Sequence, residues 1–87
     1  MSYDRMIDRT ADAIAEILRL EAQGRKRFET TMNCRDLSIQ RQAKKWHCQI
    51  GKSHSEALIM ALRLHGLDIF EFVYGGGNFY VRGKFLL

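Results

Sequence analysis

Apolar residues recur at helical spacing from the start of the chain. Placed at 100° per residue, Tyr3, Ile7, Ala11, Ile14, Leu18 and Ala22 form one stripe, widened on one side by Thr10, Ile17, Met6, Ala13 and Leu20. Arg5, Asp8, Arg9, Asp12, Glu16 and Arg19 fill the opposite arc. The pattern predicts an amphipathic helix over residues 3–23. Asp4 and Asp8 suit the positive end of its dipole, and Gly24 can adopt the left-handed conformation that ends a helix. The ladder Asp4, Asp8, Asp12, Glu16 interleaves with Arg5, Arg9 and Arg19, so it reads as a salt-bridged solvent face rather than a metal or acid-base site.

After Arg25-Lys26-Arg27, the mostly polar residues 28–33 read as a connection. Asn33 or Ser38 then suits the start of a second helix, in which Ile39, Ala43, Trp46 and Ile50 make a narrow apolar seam and Arg41, Lys44, Lys45 and Lys52 a cationic side. Gly51, followed by the capping-box spacing Ser53-x-x-Glu56, predicts a break with a new helix near His54, although the seam stays in phase through Ala57, Ala61 and Leu64. Gly66 predicts the end of that helix. Residues 57–64 are apolar almost all round, interrupted only by Arg63, so this segment needs cover from its own hairpin or from another subunit.

From Leu67 the helical period gives way to alternation. Phe70, Phe72 and Tyr74 share one face of a predicted strand and Ile69, Glu71 and Val73 the other. A second strand over residues 79–85 follows Gly75-Gly76-Gly77-Asn78, making a hairpin. Two strands alone are marginal in water, so this hairpin must pack on the helices or extend a sheet. The expected architecture is therefore α+β: two or three helices followed by a C-terminal antiparallel β-hairpin.

Composition narrows the class. The chain has 87 residues, a formal charge of +4, 46% apolar residues and no proline, with no repeat or linker, which fits one small domain. A domain of this size buries only about 60% of its unfolded surface, so a homodimer through residues 57–64 or through the hairpin edge is expected. The first dozen residues hold no apolar stretch, and the longest apolar run, Ala57 to Leu62, is far below the roughly 20 residues a spanning helix needs. A soluble, cytoplasmic protein that avoids membranes is expected. Cys34 and Cys48, about 21 Å apart if they share one helix, read as free thiols. With His47, His54 and His65 they form no zinc-type pairing, and no metal or cofactor is expected.

Charge is distributed unequally. Residues 1–24 carry a net of −2, residues 25–52 a net of +6 and residues 53–87 a net of zero. A cationic helix face beside a basic triplet is the footprint of phosphate-backbone contact, which marks Arg25, Lys26, Arg27, Arg41, Lys44, Lys45 and Lys52 as candidate nucleic-acid contacts. The triglycine lacks the GK[ST] and following helix of a phosphate loop, and the serines and histidines form no nucleophile motif, so a non-enzyme is expected.

The order of elements adds a resemblance. Trp46 and Ile50 facing inward, a turn at Gly51 and a helix opened by Ser53 resemble a helix-turn-helix, and the glycine-tipped hairpin from Val73 to Val81 looks like a wing. The resemblance implies that Lys52, His54 and Ser55 start a recognition helix and that Asn78 sits at the wing tip. The alternative, from a different class, is a small protein-interaction module or inhibitor of phage or mobile-element accessory type. It would use its basic face on an acidic protein surface, or its apolar helix and hairpin on another partner.

Overall fold

The computed structural model describes residues 3–33 and 52–86. The predicted helix around Trp46 and both cysteines lie outside the described residues. Helix α1 spans Tyr3–Ala22 and buries Ile7, Ala11, Ile14, Leu18 and Ala22, the stripe expected from its period. Leu20, expected at the margin of that stripe, is instead 69% exposed, because it sits a full 160° from its axis at Leu18. Thr10 is buried, and its hydroxyl donates to the Met6 carbonyl at 2.8 Å, which satisfies it inside the helix. The helix ends through two left-handed residues, Gln23 (φ 50°) and Gly24 (φ 89°), after which the Arg25 N–H returns to the Ala22 carbonyl at 3.0 Å.

The segment expected to be a connection is a strand. Strand β1, Arg27–Asn33, pairs antiparallel with the last strand, with Phe28 and Met32 turned into the core and Arg27, Glu29 and Thr31 exposed. A period of two runs through this segment, and pairing with the hairpin supplies the partners its polar residues cannot find alone. A 3-10 turn over Lys52–His54 leads into helix α2, Ser55–Leu64. His54 occupies the N-cap without a side-chain cap hydrogen bond, so the new helix begins where expected but one residue past the Ser53 cap. Helix α2 buries Leu58 and Leu62 and turns through His65 and Gly66 (φ 86°) into β2.

Strands β2, Leu67–Gly75, and β3, Asn78–Phe85, form the predicted hairpin, closed by Gly76 and Gly77 with φ of 58° and 82°. Positive φ at both central residues is the type I′ arrangement, whose twist matches the strands. The sheet order is β1-β3-β2, so the hairpin is extended by β1 and β3 lies at its centre. One inner face, Phe28, Met32, Leu67, Phe79 and Val81, meets α1 and α2 in a common core. Phe79 stacks obliquely between Phe72 and Tyr74, with ring centroids 5.6 and 5.3 Å away, and Phe28 lies 5.0 Å from Phe85.

The faces of β2 differ from the alternation expected. Ile69 pairs with Gly83 and Glu71 with Arg82, leaving Phe70 as the extra residue of a β-bulge. Leu67 and Ile69 before the bulge, and Phe72 and Tyr74 after it, all point to the core. On a regular ladder these two apolar pairs, an odd number of residues apart, would face opposite sides. Phe70 is therefore displaced to the outer face, 45% exposed.

Candidate functional site

The turn between α1 and β1 carries Arg25, Lys26 and Arg27, all exposed. Arg25 is held by the helix it follows: its Nε donates to the Ala22 carbonyl at 3.0 Å and its Nη2 to the Glu21 carbonyl at 3.3 Å, at the negative end of the α1 dipole. Lys26 is anchored by its backbone, whose carbonyl accepts the Phe85 N–H at 2.9 Å. Arg27 opens β1 opposite Lys84 of β3. Two steps along β3, Arg82 faces the same solvent side as Lys84, reaching Glu71 Oε1 from Nε at 3.4 Å. Both members of that pair are about half exposed, so it stabilises by no more than about 1 kcal/mol.

Arg82 and Lys84 extend the basic surface and were not among the candidates. They join it through the β1–β3 register, which is invisible while residues 28–33 pass for a connection. Sequence separation hides the contact, since Lys84 lies 57 positions after Arg27, its partner in the register.

The remaining candidates fall elsewhere. Arg41, Lys44 and Lys45 lie outside the described residues, and of Lys52 only the backbone, in the 3-10 turn, is described. His54 stands at the start of α2, about 16 Å along the helix axis from His65 at 1.5 Å rise per residue. Gly66, beyond His65, is the neighbour of the basic turn: it lines the same groove as Lys26 and Arg25, and its carbonyl accepts the Leu86 N–H at 2.8 Å. Asn78, the expected wing tip, pairs with Asn33 at the end of β3 remote from the Arg27–Lys84 pair. His54 and Asn78 thus do not share a surface with Arg25, Lys26 and Arg27.

A groove of about 760 Å³ runs from the last turn of α1 across β1 to Phe70 and Arg82. Arg25, Lys26, Arg27 and Arg82 line it against two carboxylates, Glu21 and Glu29. Glu29 accepts the Tyr80 hydroxyl at 2.5 Å. That hydrogen bond, more than the desolvation and nearby carboxylate charge that assist it, holds the phenol above its ordinary pKa of 10.0. The Arg82 guanidinium carbon lies 5.6 Å from the Phe70 ring centroid, a cation–π approach on the exposed face.

Across the molecule, His65 joins α1 to the end of α2. Its Nε2 lies 3.2 Å from Asp8 Oδ1, and its backbone carbonyl accepts from Arg19 Nη2 at 2.5 Å. Asp8 and Arg19, on the polar arc of α1, fasten the two helices. No helix among the described residues is long and apolar enough to cross a membrane. The class defined by these features is an α+β protein with a three-stranded antiparallel sheet and a cation-lined groove. Comparison of the chain with protein-family models, curated proteins and solved structures finds no match.

Proposed function

We propose that the protein is a non-enzymatic nucleic-acid-binding protein whose phosphate contacts centre on the α1–β1 turn. The observation that carries this reading is the gathering of Arg25, Lys26 and Arg27 with Arg82 and Lys84 at one end of the sheet. Lys26 and Arg27 are placed by backbone pairing and exposed, as contacts to a polyanion require. The net +6 of residues 25–52 supplies a wider attractive field.

Fluorescence anisotropy of labelled DNA and RNA, duplex and single-stranded, over a salt series tests the reading. Affinity is expected to fall as salt rises, and Lys26→Glu with Arg27→Glu to reduce the slope of log K against log salt by about two. Absence of binding to all four probes at about 50 mM salt overturns it.

A second reading has its own observation. Helix α2 exposes Met60 (68%) and Leu64 (89%), a pair one turn apart that a protein partner or a second copy of the chain would cover. Recovery of one protein from the native host after nuclease treatment, lost on replacing Leu64 with Glu, favours a protein-interaction module instead.

A further inference from the structure

We infer that the groove beside the α1–β1 turn is a subsite for single-stranded nucleic acid, with Phe70 stacking on a base and Lys26, Arg27 and Arg82 meeting the flanking phosphates. The inference rests on the nucleic-acid reading and narrows it to one form of the polymer.

Phe70 carries the argument. Every other large apolar residue between Leu67 and Tyr74 except Val73 packs against the core, whereas Phe70 does not. A bulge adds one residue to β2 and places that residue, a phenylalanine, on the solvent side. Bulges commonly re-aim a side chain toward a site. Here the ring is aimed into the groove that also holds Arg25, Lys26, Arg27 and Arg82.

The chemistry of the groove matches a nucleotide in three respects. Arg82 lies over one face of the Phe70 ring, 5.6 Å from its centroid, so its charge sits beside the aromatic surface on which an unpaired base would stack. The volume of about 760 Å³ lies in the range of small-ligand sites. Four cations line the groove against the carboxylates Glu21 and Glu29; Arg82 is shared with Glu71 at 3.4 Å, whereas Arg25, fixed on the helix end, acts as standing positive charge. In a duplex the faces of the bases are stacked on one another and closed to Phe70, whereas a single strand presents them.

The test uses the full chain with four labelled probes, dT15, U15 and 15-base-pair DNA and RNA duplexes, at fixed salt. A single strand is expected to bind at least about tenfold more tightly than either duplex, and the dT15 and U15 arms distinguish DNA from RNA. Phe70→Ala and Phe70→Leu should each weaken single-strand binding about tenfold, Leu keeping apolar bulk without a π-face, while Phe70→Trp retains it. Circular dichroism verifies that the variants fold. Duplex binding equal to or tighter than single-strand binding, or single-strand binding indifferent to Phe70→Leu, overturns the inference and leaves the broader reading standing. No binding to any probe overturns both.

Discussion

Gly83 occupies the middle of the central strand, opposite Phe28 on one side and Ile69 on the other. A Cβ built there would lie 2.1 Å from the Asp68 carbonyl oxygen and 2.9 Å from the Phe28 ring. The first obstacle is backbone and cannot swing aside, so the strands must separate to admit even a methyl group. Gly83→Ala is expected to destabilise the fold by about 3 kcal/mol, read as a lower urea midpoint or a fall in Tm of at least about 10 °C. Glycine at this position is thus a packing requirement, distinct from Gly76 and Gly77, where backbone conformation is what matters. A second residue-scale expectation concerns Tyr80. Because the folded state favours the protonated phenol, its bond to Glu29 contributes stability below pH 10 or so, and that contribution is lost as pH rises through the raised folded pKa. Glu29→Gln removes the carboxylate that causes the shift. Ultraviolet titration of the three tyrosines should then show one ionisation moving down in pH, and an unchanged profile would argue against the bond.

At the scale of elements, the bulge in β2 makes a deletion test possible. Removing Phe70 leaves Leu67 and Ile69 in phase with Phe72 and Tyr74 on a regular ladder, so the deletion is expected to fold with Tm within about 5 °C of the parent, a change on the order of 1 kcal/mol. Deleting Val73 instead puts Tyr74 out of phase with Phe72 and parts it from Phe79, and should cost several times more. Thermal melts of the two deletions decide whether Phe70 is the inserted residue. The same bulge explains which elements were legible. Helix α1 could be read because its apolar residues keep one phase for five turns, and the hairpin because alternation meets a triglycine. The faces of β2 were misassigned because a single phase was imposed on Leu67 to Tyr74, where two apolar pairs one residue out of step record the bulge. Strand β1 was missed because only Phe28 and Met32 mark its inner face, and Thr30 between them looks polar; its evidence lies in its partner, β3. Half of the basic site was legible for the same reason: the Arg25-Lys26-Arg27 run is contiguous, but Arg82 and Lys84 reach it only through strand pairing.

At the scale of the whole molecule, two surfaces carry exposed chemistry of different kinds, a cationic groove and an apolar pair on α2. The cationic groove lies on the β1 side of the sheet and around the end of α1, while Met60 and Leu64 lie on α2, which covers the sheet's inner face. Pairing two chains through α2 would join two grooves in one assembly and raise the effective concentration of the second for a long strand. The exposed pair on α2 makes this expectation specific. Burying two such side chains against a partner stabilises by roughly 1.5–3 kcal/mol each. Met60→Glu with Leu64→Glu should consequently raise the dissociation constant of a dimer by about a hundredfold or more, with little change in the fold because both side chains are already exposed. Light scattering at micromolar concentration should show a dimer for the parent and a monomer for the double variant. A parent that is monomeric removes the dimer, while a double variant that remains dimeric moves the interface to the outer edge of β1 or β2, where backbone pairing rather than side-chain burial would hold it.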